Sequence, residues 1–251
     1  MSVSSLLLRF LPCFGHGDTL VGFLGHPYFI ARFNLSTHLK KYIQPHANQA
    51  ILDVGCGTMP YKKYFHGCIL YDGLEIDQPR SHSNSCATYF YDGINFPMEN
   101  NSYDAVICSQ VLEHSFAPET LISEVVRVLK PGGTFYLSIP FMWPEHEQPY
   151  DSQRYTSFGL SAILHKNGLQ ISSISKSSHG LIALMQLGIE WLESQVRRRR
   201  LGHRTFFFWR ILTAIPYSVA NMIALSLMAF HHDDANSAEL FLDLIVVSQK
   251  S

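Results

Sequence analysis

Apolar positions change their period several times along the chain, and each change marks an element. Between Pro27 and Tyr42 the residues Phe29, Ile30, Phe33 and Leu39 fall roughly on one face of a helix, which Pro45 stops. AILDVGCG, from Ala50, is a short apolar run closing on glycines and reads as a buried parallel strand. CILYDGLE, TYFYD and YDAVICS repeat that theme. A punctuated helix follows. Pro118 suits its first turn, Leu121, Ile122, Val125, Val126 and Leu129 form its stripe, and LKPGG ends it. TFYLSIP is the next strand. Thr156 or Ser157 caps another helix that stops at Asn167-Gly168, and LQISSIS is a further strand. Strand and helix in alternation predict a doubly wound parallel sheet with right-handed crossovers.

The tail has another texture. Leu181 to Leu192 is mostly apolar, Arg197 to Arg200 is a basic run, and Ile211 to Phe230 contains no charged residue. LFLDLIVVSQK then reads as a closing strand. The uncharged stretch is long enough to raise a membrane span. Pro216 and Asn221 weaken that reading, and a single crossing would part the closing strand from its sheet. A lid of packed helices is the first expectation. The alternative is peripheral membrane contact through 180–230, with the arginines on anionic headgroups. A helix end solvating the arginines is the plain alternative.

Composition narrows the classes. The chain has 251 residues, 47% hydrophobic and 16% charged, against about 25% charged in typical soluble domains. Disorder needs the opposite balance. A formal net charge of −1 argues against a broadly cationic nucleic-acid binder. Cys13, Cys56, Cys68, Cys86 and Cys108 are odd in number and form no CxxC, so neither a zinc ribbon nor a disulfide framework follows. A reducing, cytoplasmic setting is expected. The N-terminal apolar run lacks a basic leader and is broken by Arg9, which reads as a docking helix or loose arm rather than a signal peptide.

The turn after the first strand, ILDVGCGTMPY, carries the chemistry. Gly55 and Gly57 let the backbone turn and approach a ligand. A dinucleotide site needs a third small residue where Pro60 stands, and a pyrophosphate would repel Asp53. That disfavours a nucleotide-dependent oxidoreductase. A cationic ligand suits Asp53, and S-adenosylmethionine carries an ammonium and a sulfonium.

Here the chain resembles the class I S-adenosylmethionine-dependent methyltransferases, closest to the small-molecule branch called methyltransferase type 11. ILDVGCGT, through Asp53, Gly55, Cys56 and Gly57, is similar to the family's first motif, with Met59 where a glycine is usual. LYDGLEID resembles the second, which implies that Glu75, next to Ile76, binds the ribose hydroxyls. FYDGINFP resembles the third, which implies that Asp92, followed by Gly93, accepts from the adenine amino group. SYDAVICSQVLEH resembles the fourth strand and its loop, placing Ser109 and Gln110 at the methionine moiety. VVRVLKPGGTFYLSIPF resembles the family's helix-to-strand corner. The likeness runs from about Ala50 to Ile174. It implies a Rossmann-like α/β fold: a doubly wound, seven-stranded, mostly parallel sheet with an antiparallel last strand. The expected organisation is a helical arm over 1–45, an S-adenosylmethionine-binding core over 46–179, an apolar helical insertion over 180–236 and a final strand over 237–251.

Transfer from a sulfonium needs an aligned acceptor and, at oxygen, a place for its proton. Open α/β sheets bind ligands at the carboxyl ends of their strands. The loop after the fifth strand, PFMWPEHEQPYDSQRYT, resembles a segment of bacterial family members linked to surface glycans, lipid-linked intermediates or secondary metabolites. His146 is the expected base or positioning residue, with Arg154 pairing Asp151 or holding an anionic acceptor group. A simple Arg154–Asp151 brace, with His146 bonded to it, is the structural alternative. His114 is expected near the pocket. No catalytic metal follows from the histidine spacing, and His231-His232-Asp233-Asp234 reads as a solvated turn. The expected activity is methylation of a small-molecule, glycan or lipid-linked acceptor, at oxygen. The rival is a non-catalytic, methyltransferase-like partner subunit. Nucleic acid is not expected as substrate. The acceptor's identity and the oligomeric state stay open.

Overall fold

The computed structural model describes residues 26–43, 47–198, 203–230 and 239–251. These fall into two compact units. One comprises the chain up to Thr37 with Ser177–Leu242, and the other comprises His38–Lys176 with Asp243–Ser251.

The second unit is a seven-stranded sheet, with strands β1 (Ala50–Val54), β2 (Leu70–Ile76), β3 (Tyr89–Tyr91), β4 (Tyr103–Ser109), β5 (Leu129–Pro140), β6 (Leu169–Ser177) and β7 (Asp243–Lys250). Their order is β3-β2-β1-β4-β5-β7-β6. β3, β2, β1, β4 and β5 pair in parallel, and β7 runs antiparallel to β5. The order reverses at β1, with β2 on one side and β4 on the other. The five residues of β1 are buried on both faces, which is why AILDV is apolar apart from Asp53 and does not alternate. Ile51, Leu52, Val106, Ile107, Phe135 and Leu137 have no exposed surface.

α1 (Phe29–Tyr42) precedes the sheet, α2 (Pro79–Asn84) follows β2, α3 (Pro118–Val128) follows β4 and α4 (Ser157–Lys166) follows β5. The stripe Leu121, Ile122, Val125 is buried as its spacing requires. Thr156 caps α4, its hydroxyl accepting from the Gly159 N–H at 3.1 Å, and Gly168 takes φ +79° just past the helix end. LKPGG stops α3, and the structure carries those residues into β5. The register jumps from Tyr103↔Leu129 to Ala105↔Thr134, so the Pro-Gly-Gly excess bulges at the strand's edge. Gly132 at φ +74° makes that bulge, and Lys130 reaches Asp104 at 2.8 Å.

In the other unit, α5 (Leu181–Arg198) and α6 (His203–Phe230) are the principal helices. Phe29, Ile30, Ile182, Ile189, Tyr217 and Ala224 form its buried cluster. Gln186, fully buried, donates to the Pro27 carbonyl at 2.8 Å and accepts from the Ala31 N–H at 3.2 Å. Of the basic run, Arg197 bonds Glu190 and the Tyr28 hydroxyl; Arg199 and Arg200 lie outside the described residues. Phe208, Leu212, Ile215, Val219, Met222 and Ile223 of α6 are exposed. Among the described residues no helix is long and apolar enough to cross a membrane. The N-terminal run with Cys13, and His231 to Asp234, also lie outside the described residues.

Candidate functional site

The parallel strands deliver their carboxyl ends to one edge, and the sequence puts its glycines and polar side chains there. β1 ends at Val54, opposite Leu74 of β2 and Cys108 of β4. The chain then turns through Gly55 at φ +66° and Gly57 at φ +46°. A Cβ on Gly55 would sit 2.2 Å from Val111 Cγ2, so only glycine lets the turn pass under that side chain. A Cβ on Gly57 would meet nothing within 4 Å. That open space above a bare backbone is the cradle a ligand needs. Met59, where the resemblance expects glycine, itself adopts φ +54°, so the turn keeps its left-handed shape without one.

Asp53 is 2% exposed, and the Tyr71 hydroxyl donates to it at 2.7 Å. Burial pushes its carboxyl up to about 7 against the lowering effect of the Tyr71 bond, and the neighbouring Glu75 adds to the rise. Glu75 closes the turn, accepting the Gly57 N–H at 2.9 Å. Ile76 pairs with Tyr91 in register, and a Cβ on Gly93 would lie 3.5 Å from Ile76 Cδ1, so the ends of β2 and β3 converge. Asp92 is turned to its own loop. It accepts from the Ile94 N–H at 2.8 Å and the Asn95 N–H at 2.7 Å, bonds that lower its pKa. Cys56 is buried, and burial raises its thiol to about 12, so it packs as a small apolar group.

At the end of β4, Ser109 Oγ lies 2.7 Å from Ser138 Oγ and 3.1 Å from the Tyr61 hydroxyl. Gln110, at φ +59°, bonds Ser138 through its backbone N–H at 2.9 Å and its side chain at 3.3 Å. Tyr61 and Ser138 therefore join Ser109 and Gln110. Sequence reasoning missed both, although Tyr61 closes the glycine-turn motif.

The loop after β5 is ordered around Asp151. Arg154 donates to both carboxylate oxygens, at 2.5 and 2.7 Å. The His146 backbone N–H and ring Nδ1 each lie 3.0 Å from Oδ2. Burial pushes the Asp151 carboxyl up, but Arg154 and His146 outweigh it and hold it at about 2. The same pairing raises Arg154. His114, on the one-turn segment Leu112–His114, stacks edge-to-face on His146 with ring centroids 4.9 Å apart. Burial, then the neighbouring His146, lower the His114 pKa. Glu113 beside it has no exposed surface, and neither carboxylate oxygen accepts a hydrogen bond. Burial raises it to about 8. The loop rests on this segment, since the Ser152 and Gln153 N–H groups donate to the Glu113 carbonyl at 2.9 and 3.2 Å.

Known proteins resemble the chain in sequence and in fold. Residues 52–137 match the methyltransferase domain family. A sterol 24-C-methyltransferase, ERG6A of Gibberella zeae, is 27% identical over 68% of this chain and 47% of its own. Thiol S-methyltransferase TMT1A of Homo sapiens is 30% identical over 44% of this chain and 55% of its own. The chain thus spans about half the length of these curated relatives. Among solved structures, the cyclase SpnF superposes with a TM-score of 0.56 at 20% identity, over 99% of this chain and 92% of that one, a likeness of fold.

Proposed function

We propose that the chain carries a class I S-adenosylmethionine-dependent methyltransferase domain and that it methylates an oxygen of a small-molecule, glycan or lipid-linked acceptor. The observation that carries this reading is the Asp53 carboxylate, buried with a tyrosine hydroxyl beside an open, left-handed glycine turn. Such a carboxylate is costly until a cation meets it. The residues present fit the cofactor. Asp53 supports the cationic methionine end, Glu75 offers two acceptor oxygens to a ribose diol, and Gly57 leaves backbone room. Ile76, Asp92 and Gly93 form the adenine end, and Ser109 and Gln110 line the methionine end. When bound, S-adenosylmethionine supplies an electrophilic methyl group and a neutral leaving group.

The chain's own task is alignment and proton handling. Asp151 fixes the His146 ring: a proton on Nδ1 donated to the carboxylate leaves the Nε2 lone pair for the acceptor side. Arg154 holds Asp151 in place and ionised. His146 therefore meets the acceptor hydroxyl through Nε2, as base or as positioning group. The exposed apolar face of α6 supports a lipid-linked acceptor over a nucleic acid.

Calorimetric titration with S-adenosylmethionine and S-adenosylhomocysteine, with NAD as control and Asp53→Ala alongside, tests the reading. Micromolar binding of the sulfur ligands, lost in the variant, is the expected result. Binding of NAD instead, or no binding by folded protein, would overturn it.

A further inference from the structure

Glu113 and its neighbour His114 converge with His146, which stands far from them in sequence: one ligand-type atom from each lies within 4.8 Å of the others. The Glu113 carboxylate has no exposed surface and neither of its oxygens is hydrogen-bonded, and its Oε1 lies 3.8 Å from His114 Nε2. His114 Nδ1 is likewise buried without a hydrogen bond. A carboxylate in that state lacks a partner that the fold does not itself provide. His146 is already prepared as a ligand, because a carboxylate on one ring nitrogen orients the other toward a metal and raises its basicity. Asp151 is that carboxylate, and its own charge is balanced by Arg154.

We propose that Glu113, His114 and His146 bind a divalent first-row transition-metal ion, with His146 contributing Nε2. Two imidazoles and one carboxylate suit zinc or iron(II), whereas magnesium and calcium call for oxygen-rich sets. Three protein ligands leave coordination positions open, and an acceptor oxygen is the group to fill one. The site deepens the methyltransferase reading and rests on it for its purpose: the ion occupies the Nε2 lone pair, so His146 positions the acceptor through the ion rather than acting as its base. The histidine spacing hides it, because the first two ligands are adjacent on a single turn and the third comes from the loop after β5.

The test uses the full, tag-free chain stripped with chelator. Cobalt(II) is titrated while visible absorption is followed, and zinc(II) is titrated by calorimetry. The expected result is one ion per chain with d–d bands of a low-coordinate site. Affinity should fall at least about 100-fold in His146→Ala and in Glu113→Gln, and about 10–100-fold in Asp151→Asn. Circular dichroism and S-adenosylhomocysteine titration of the same samples report folding and the cofactor site. Absence of saturable binding, or binding unchanged in both His146→Ala and Glu113→Gln, would overturn the proposal. Cofactor binding without metal sinks the metal site alone, and metal binding without cofactor sinks the methyltransferase reading alone.

Discussion

Replacing Asp53 by asparagine should make the protein more stable and functionally dead. The carboxyl sits at 2% exposure with its pKa moved by burial from 3.8 to about 7. Folding therefore favours its protonated form. Its contribution is fully present below about pH 4, where both states hold the proton, and is lost as pH rises through about 7. At pH 8 the ionised carboxylate then costs about 4 kcal/mol, taking about 1.4 kcal/mol per pKa unit. Asparagine keeps an oxygen for the Tyr71 hydroxyl and adds an amide N–H2 that needs partners, an offset of about 1–3 kcal/mol. The net expectation is a gain of about 1–3 kcal/mol at pH 8, seen as a melting temperature higher by roughly 3–10 °C. Near pH 4, where Asp53 carries no such cost, the amide's own cost remains and the variant should be less stable than wild type by about 1–3 kcal/mol. Urea unfolding of both proteins across pH 4–8 measures it directly. Calorimetry should show S-adenosylmethionine binding weakened at least tenfold in the variant. In the wild type, affinity should fall as pH drops below about 7, because the cation must displace the Asp53 proton. A variant less stable than wild type at pH 8, or a stability difference that ignores pH, would refute the reasoning.

Two further outcomes follow from the same geometry. Gly55→Ala forces a side chain to φ +66° and into Val111 Cγ2. The conformation alone is destabilising by about 1–2 kcal/mol, so chemical denaturation should show a larger loss, with cofactor affinity reduced in the folded fraction. His146→Ala should lower turnover about 100-fold or more once an acceptor is identified, while S-adenosylhomocysteine affinity stays within about threefold. Unchanged turnover removes His146 from the chemistry.

The parallel half of the fold was legible because strands buried on both faces are mainly apolar and do not alternate. AILDV and YDAVICS declare themselves without alternation. Helix ends were legible where one residue does one job, as at Thr156 and Gly168. The start of β5 was not, since a Pro-Gly-Gly stop signal carries no sign that the chain continues as a bulged strand. In the site, the glycine turn could be read from spacing because backbone reversal demands glycine. Glu113 could not. Its unpaired burial is a property of the folded environment, and Leu-Glu-His has no pattern that announces it. Asp92 shows the reverse: the resemblance marks it as a ligand, and its carboxylate bonds its own loop.

The placement of β7 between β5 and β6 sets an order of assembly. β5 and β6 each need β7 as a neighbour, yet both helices α5 and α6 come between β6 and β7 in the chain. Until that long excursion closes, two strand edges stay open, and closing so distant a pairing is slow. Chains arrested within α5 or α6 would present those edges to one another, so truncation there should yield aggregates rather than a smaller folded domain. The helical segment between β6 and β7 is thus also the one that delays the completion of the sheet.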